Sequence, residues 1–203
     1  NILEHCKTYT KIPNIYHLDT LDELIKNKHK LPFKKIVGKI DAIATNPPWG
    51  ANKNSTKYQE LENILKSKEV YSMFILKSYD LLKKDGELNV LLPESVLKIT
   101  THRNIRKHML TNSKIIKIKE YGRAFQGVYS KVIAIHLKKR EKLEHNTITI
   151  ETVSRNHSIC QNDFQKTKNY IFEINIDNEK RKLIEKIYSS PYSSLKNNAK
   201  WAL

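Results

Sequence analysis

The pattern of apolar and polar positions along the chain predicts strands that alternate with helices. Short runs rich in β-branched and other apolar residues predict strands at 15–18, 40–45, 87–93, 115–119, 131–137, 147–150 and 170–174. Apolar residues at helical spacing predict helices around 58–65, 70–82, 105–110 and 183–187. A turn at 125–128 should make the strand at 131–137 the antiparallel partner of the strand before it. This order predicts an α/β fold with an open, mostly parallel sheet that ends in an antiparallel hairpin.

The strand predicted at 40–45 runs directly into the tetrapeptide Asn46-Pro47-Pro48-Trp49. Positions 40 and 42–44 are small or apolar, which predicts a strand covered on both faces. Pro47 has no N–H to donate to a sheet, so regular pairing should end there. Each proline also keeps the residue before it out of the helical region. The turn is therefore expected to be stiff, with the Asn46 amide, the Pro47 carbonyl and the Trp49 ring at the end of the strand.

Such a turn has the groups needed to hold a planar amino group, like the exocyclic amine of adenine or the amide of glutamine. The amine has two N–H donors, and the Asn46 oxygen and the Pro47 carbonyl are two acceptors. Acceptors placed for a tetrahedral nitrogen favour localisation of its lone pair, which stabilises the transition state more than the ground state. The Trp49 ring can stack on a base, a contact worth about 1–3 kcal/mol. The alternative is an ordinary double-proline turn after a strand.

Two carboxylates follow the first predicted strand. Asp19 comes directly after it and Asp22 stands at helix-start spacing. An acid at the carboxyl end of a parallel strand often binds a small ligand. Either residue could instead cap the next helix, an interpretation that is favoured for Asp22 and left open for Asp19.

Composition and charge narrow the class of partner. The chain has 203 residues, of which 39% are hydrophobic, enough for one core and a smaller appendage. Its formal net charge is +16, from 37 Lys and Arg against 21 Asp and Glu. An excess of this size favours a polyanionic partner, most often nucleic acid. A lysine-rich surface without such a function is the alternative.

The sequence gives no indication of a metal site, a disulfide framework or a membrane span. Cys6 and Cys160 are the only cysteines, and neither lies in a C-x-x-C pair. The histidines form no H-E-x-x-H or similar spacing. No apolar run approaches the length of a membrane helix. These features favour a reducing cytoplasm.

Three motifs resemble the adenine-specific DNA methyltransferases of restriction–modification systems, which use S-adenosylmethionine. The first is Asn46-Pro47-Pro48-Trp49, which matches the signature Asn/Asp-Pro-Pro-aromatic. The second is Leu-Leu-Lys-Lys-Asp-Gly at 81–86, followed by a strand that closes on Leu-Pro-Glu-Ser at 92–95. The third is Ala-Phe-Gln-Gly-Val at 124–128, before a β-branched strand. The resemblance covers roughly residues 12–140.

This resemblance implies a Rossmann-like class I methyltransferase sheet and a set of site residues. Asn46 and Pro47 would hold the target adenine amine, and Trp49 and Phe125 would stack on the two sides of the base. Asp19 matches the acidic residue that accepts from the adenine amine of the cofactor. The implied partner is double-stranded DNA, together with a restriction or specificity module in the same or another chain, in a bacterial cytoplasm.

One departure from the family concerns the cofactor. No Gly-rich turn precedes Asp19, and the chain begins with Asn1. The first strands of the sheet are therefore expected to be missing, and such a piece is expected to bind the cofactor weakly or not at all. Residues 1–140 are predicted to be a partial catalytic domain. Residues 141–203 are predicted to be an extension that leads toward a target-recognition region, which the segment 196–203 resembles.

Two other functions remain open from the sequence. Methyltransferases that act on RNA bases or on protein glutamines share the tetrapeptide. A catalytically degenerate fold could also serve only as a DNA-binding module. Such a module would show salt-dependent DNA binding without cofactor affinity.

Overall fold

The computed structural model describes residue 17 and residues 19–21, 35–50, 58–127, 129–140, 145–176 and 178–188. Its helices are α1 (Gln59–Leu65), α2 (Val70–Leu81), α3 (Arg103–Asn112), α4 (Gln161–Lys166) and α5 (Asn178–Tyr188). Its strands are β1 (Ile40–Thr45), β2 (Leu82–Pro93), β3 (Ser113–Gly122), β4 (Val132–Lys139), β5 (Thr147–Glu151) and β6 (Asn156–Cys160). Short 3-10 turns lie at Glu94–Leu97, Thr100–His102 and Lys168–Tyr170.

The described strands form one mixed sheet of six strands in the order β1-β2-β4-β3-β5-β6. The pairs β1–β2 and β3–β5 are parallel, and β2–β4, β3–β4 and β5–β6 are antiparallel. The predicted α/β fold is confirmed, and so is the hairpin of β3 and β4 around the turn at 125–127.

Alternate residues of the strands build the core. Side chains that point to one face of the sheet are buried with the helices, as the two-residue period of a strand requires. On the two central strands these are Leu88, Val90, Leu92, Ile133, Ile135 and Leu137. The helices contribute Leu61, Leu65, Met73, Ile75, Ile105, Met109 and Leu110. The opposite face carries polar pairs such as His136 and Glu87, whose Nε2 and Oε2 atoms are 3.0 Å apart.

The strand before the tetrapeptide differs from its prediction. β1 lies at an edge of the described sheet, where it pairs with β2. Ala42 and Ala44 are exposed, and Ile40 and Ile43 are half-buried. The prediction of a strand covered on both faces is therefore wrong: the small apolar side chains of Ala42 and Ala44 predicted burial, but they are exposed to solvent.

The pairing of strand β2 with β1 is irregular at Asp85 and Gly86. Asp85 has a φ of 60°, and the pairing with β1 jumps from Ile40–Leu82 to Ala42–Glu87. A Cβ atom on Gly86 would lie 2.9 Å from the carbonyl oxygen of Ile40. A bulge therefore forms here, and only glycine allows the two backbones to approach so closely.

The prediction of a strand at 170–174 is wrong. A 3-10 turn ends at Tyr170, and both Asn169 and Tyr170 have positive φ, 61° and 54°. The carbonyls of these two residues accept hydrogen bonds from the side chain of Arg106. Apolar residues in this segment, such as Phe172, are buried individually in the core instead. Strand β6 and helix α4 were not predicted.

Two predictions lie outside the described residues: the role of Asp22 and the segment 196–203. Of the strand predicted at 15–18 only residue 17 is described, and it has no regular secondary structure. The predicted domain boundary falls after residue 140, between β4 and β5, which are strands of the same sheet. That division stays a prediction. None of the helices in the described ranges has the length and apolar character that a membrane crossing requires.

Candidate active site

The carboxyl ends of three strands meet at one edge of the sheet. This edge runs across the ends of the strands and is not the side at which β1 lies. β1 ends at Thr45, which pairs with Val90 of β2. β2 ends at Pro93, which faces Val132 of β4, and Gly122 at the end of β3 faces the same residue. The segments that follow these strands therefore emerge side by side. Binding sites of open α/β sheets lie at this edge.

The tetrapeptide follows β1 directly, and its residues differ in burial. Asn46 and Pro48 are exposed, Pro47 is buried, and Trp49 is half-buried and packs against the core cluster. Within the described ranges, the Asn46 side chain has no hydrogen-bond partner. The turn is thus anchored by Pro47 and Trp49 while the Asn46 amide faces solvent.

The ring of Trp49 contacts the ring of Phe125. Their centroids are 5.7 Å apart and their planes meet at 67°, an edge-to-face contact. The two residues come from segments far apart in sequence, so the structure brings together the two rings that were predicted to hold the base. Phe125 is 40% exposed. The Trp49 Nε1 atom is buried and meets no acceptor in the part of the chain that the structure describes.

Asp19 is exposed and directly precedes a short helical segment at Thr20 and Leu21. Leu21 is buried in the core cluster, which anchors this segment to the domain. The role of Asp19 toward a cofactor stays a prediction.

A groove of about 480 Å³ lies at the same edge, between the turn at 94–98 and the loop at 123–131. The backbone N–H of Glu94 donates to the carbonyl of Lys131 at 2.8 Å and ties these two segments together. Lys131 Nζ donates to the buried carboxylate of Glu120 at 3.0 Å. This hydrogen bond, with the nearby Glu94, raises the pKa of Lys131. Sequence reasoning missed Glu120, although a carboxylate at the end of a buried strand is a recognisable pattern.

Behind this edge, Arg106 of α3 fixes the turn that follows β2. Its side chain is fully buried, although an arginine is usually exposed. Nη1 donates to the carbonyls of Val96 and Ile99, at 2.7 and 2.8 Å. Nε and Nη2 donate to the carbonyls of Tyr170 and Asn169, at 2.9 Å each. Burial lowers the pKa of Arg106 to about 10, so it stays charged at neutral pH.

A second buried polar residue, His102, precedes Arg106 in the chain. His102 shares a hydrogen bond with the Tyr71 hydroxyl, 2.8 Å from its Nε2 atom. Burial lowers the pKa of His102 to about 4. Thr101 lies within the 3-10 turn that precedes α3, and His102 takes the N-cap position of α3 without a side-chain cap hydrogen bond.

Metal ligands do not gather at this edge. Within the described ranges, His, Cys, Asp and Glu side chains form no group of three or more that could hold a metal ion. The chemistry that the described side chains can offer is therefore hydrogen bonding by an amide and carbonyls, stacking by aromatic rings, and cationic contacts from the groove.

The mixed sheet, with an Asn-Pro-Pro-aromatic turn at the end of its first described strand, places the chain in the class of α/β methyltransferase folds. The fold is similar to the methyltransferase subunit of a type I restriction–modification system from Streptococcus thermophilus, with a TM-score of 0.50 and 21% identity over 84% of this chain and 34% of that one. It is also similar to a chain from a type I restriction–modification assembly, with a TM-score of 0.55 and 16% identity over 87% of this chain and 33% of that one.

Sequence comparison then gives the family. The chain belongs to the Eco57I restriction-modification methylase family, whose model matches residues 3–126. It is 30% identical to the Type II methyltransferase M.VspI of Vibrio sp. (strain 343), over 83% of this chain and 42% of that relative. It is 29% identical to the Type II methyltransferase M.HincII of Haemophilus influenzae, over 56% of this chain and 25% of that relative. The chain therefore spans less than half the length of these curated relatives.

Proposed function

We propose that this chain is the catalytic part of a DNA methyltransferase that transfers a methyl group from S-adenosylmethionine to the exocyclic amine of adenine. The reaction would serve a restriction–modification system. Family membership supports the reaction class. The observation that carries the proposal is the solvent-facing amide of Asn46 at the end of β1, beside a Trp49 ring that is anchored in the core.

Asn46 and Pro47 bind the two hydrogens of the adenine amine. S-adenosylmethionine, when bound, supplies an electrophilic methyl group on a sulfonium. The Asn46 oxygen and the Pro47 carbonyl orient the amine and favour a tetrahedral nitrogen, whose lone pair can form the new N–C bond as the C–S bond breaks. The Asn46 oxygen then accepts a hydrogen bond from the charged amine until its surplus proton passes to solvent.

Trp49 and Phe125 bind the faces of the extruded base. Extrusion costs a few kcal/mol, and stacking on an aromatic ring returns about 1–3 kcal/mol per base. The two rings now contact each other edge to face, so a base enters between them only if one ring moves. Phe125 is the ring that moves, because it is 40% exposed on a turn whereas Trp49 packs against the core.

The experiment that tests this function is methyl transfer by the whole protein carrying Asn46→Ala. Transfer of tritium from labelled S-adenosylmethionine to duplex DNA is expected to fall at least 100-fold, while the Kd for DNA changes less than twofold. The matched control is Asn156→Ala, which removes an exposed asparagine at the start of β6 and should leave both quantities unchanged. Equal turnover of Asn46→Ala and the unmodified protein would remove Asn46 from the mechanism.

The same assay separates the substrate classes. Incorporation into duplex DNA, and not into RNA or a protein extract, is the expected result. Incorporation into RNA or protein would instead assign one of the other methyltransferase classes that share the tetrapeptide. DNA binding without transfer or cofactor affinity would assign a binding module.

We also propose the organisation of the whole protein around this chain. Residues 1–140 are the catalytic part, and residues 141–203 lead toward a region that reads the DNA target. Its further partners are a restriction or specificity module, in a bacterial cytoplasm. Limited proteolysis of the whole protein tests the boundary: cleavage near residue 140 that releases a folded N-terminal piece would support it. Because β5 and β6 complete the same sheet, a piece that unfolds on this cleavage would contradict it.

A further inference from the structure

The groove between residues 94–98 and residues 123 and 129–131 is lined by three cationic side chains, and the proposed reaction does not use it. Lys98, Arg123 and Lys131 line it, against the single carboxylate of Glu94. Phe125 is two residues along the chain from Arg123 on the groove wall, so the groove begins close to the ring that is proposed to stack on the base.

Two of its side chains have no structural role in the described part of the chain. Arg123 forms no ion pair or hydrogen bond there, and Tyr129 is 89% exposed. The Tyr129 ring is therefore accessible to a partner.

The two lysines differ in the strength of their pairing. Lys98 Nζ is 3.3 Å from Glu173, and both side chains are partly exposed. An exposed pair of this kind contributes about 0–1 kcal/mol, so a phosphate can replace it. Lys131 Nζ lies 3.0 Å from the buried carboxylate of Glu120 and 3.9 Å from Glu94, so it keeps that partner. Phosphate oxygens accept charge-assisted hydrogen bonds from arginine and lysine, and also from serine and tyrosine hydroxyls.

We propose that this groove binds the DNA backbone next to the extruded adenine, with Arg123 on a phosphate and Tyr129 against the adjoining sugar or base. The proposal rests on the proposed function and adds a substrate contact to the same edge of the sheet. The groove reads no sequence, since phosphate contacts set position rather than specificity. It holds the strand in the register that presents the adenine to Asn46.

The test measures DNA binding by the whole protein across a range of salt concentrations, with a fluorescein-labelled duplex of mixed sequence as the probe. Arg123→Ala is expected to weaken binding about tenfold at low salt and to reduce the slope of log K against log salt by about one. Arg123→Lys should keep the slope, because the charge remains. Tyr129→Ala should weaken binding several-fold without a change in slope.

Lys84→Ala is the matched control. Lys84 is an exposed residue near the start of β2, at the opposite edge of the sheet from the groove. The proposal predicts that its loss leaves the Kd and the slope almost unchanged. If Lys84→Ala and Arg123→Ala reduce the slope equally, the phosphate contacts are spread over the whole surface of the protein, and the groove proposal is overturned.

The outcomes separate this proposal from the proposed function. If Arg123→Ala and Tyr129→Ala bind DNA like the unmodified protein while Asn46→Ala abolishes transfer, the groove proposal fails and the reaction stands. If Arg123→Ala weakens binding while Asn46→Ala retains transfer, the groove stands and the role of Asn46 fails. A matched RNA duplex that binds as tightly as DNA, with the same loss in both variants, would overturn the assignment to DNA.

Discussion

Arg106 donates a hydrogen bond of 2.7 Å to the carbonyl of Val96, from a side chain that is fully buried. Its other acceptors are the carbonyls of Ile99, Asn169 and Tyr170, and no carboxylate pairs with it in the described ranges. One guanidinium therefore joins the turn after β2, which lines the groove, to the segment at 168–170. The backbone N–H of Phe172 adds a hydrogen bond of 2.9 Å to the carbonyl of Leu97 between the same two segments.

Arg106→Met should be among the most destabilising substitutions in the chain. Methionine fills much of the volume but leaves four backbone carbonyls, of which that of Val96 is buried, without their donor, at an expected cost of about 3–5 kcal/mol. Urea unfolding measures it. The control is Arg140→Met, because Arg140 is exposed, 3.8 Å from Asp85, and its loss should cost less than about 1 kcal/mol. Similar losses for the two variants would contradict the role given to Arg106.

Burial of His102 predicts that acid destabilises the fold. Its pKa is lowered from 6.5 to about 4, first by burial and then by the charge of Arg106. The unfolded chain takes up a proton here between pH 6.5 and 4 that the folded chain does not. The stability present above pH 6.5 is therefore lost as the pH falls, by up to about 3 kcal/mol.

The measurement is the free energy of unfolding of the unmodified protein and of His102→Gln, at neutral pH and near pH 4. Glutamine stays neutral, so the pH-dependent loss should shrink. His145→Gln, at an exposed position, should leave the loss unchanged. An equal pH-dependent loss in His102→Gln and the unmodified protein would show that another group causes it.

Elements that follow a local pattern were predictable from the sequence. β2 and β4 alternate because one face of the sheet is buried, and α2 has a helical period because it packs along that face. The prediction of a strand at 170–174 was wrong because a carbonyl of this segment accepts a hydrogen bond from a distant side chain, Arg106, which no local pattern reveals. Strand β6 was not predicted because Ile159 is its only fully buried apolar residue, so its sequence shows almost no alternation of apolar and polar residues.

The candidate site likewise has parts that the local sequence predicts and parts that it does not predict. The turn at 46–49 was predictable because two prolines determine its backbone locally. The groove was not, because it is built from segments that the antiparallel register of β3 and β4 brings together, and that register contains two irregularities between Ile115 and Gly122. Only the family resemblance predicted that Trp49 and Phe125 lie close together.

Phe125→Ala should lower turnover with little loss of stability. The ring is 40% exposed, but it is proposed to stack on the base, so kcat on DNA should fall about 5- to 150-fold, which corresponds to a stacking contact of about 1–3 kcal/mol. Phe125→Tyr, which keeps the ring, should restore most of the rate. The control is Tyr121→Ala, since Tyr121 is an aromatic residue of similar exposure at the end of β3. A normal kcat for Phe125→Ala would contradict the stacking role.

Gly86→Ala tests whether the bulge in β2 sets the position of the tetrapeptide. The added Cβ atom would lie 2.9 Å from the Ile40 carbonyl and 3.0 Å from that of Lys83, so the backbones of β1 and β2 must separate. Overpacking of this kind costs about 1–3 kcal/mol, and the shift would pass along β1 to Asn46. Gly50→Ala is the comparison: its φ is 67° and nothing lies within 4 Å of the new atom, so it should cost only about 1 kcal/mol through backbone strain. Urea unfolding and methyl transfer should both show the larger loss for Gly86→Ala, and the reverse order would mean that β1 reaches its position without the close approach at Gly86.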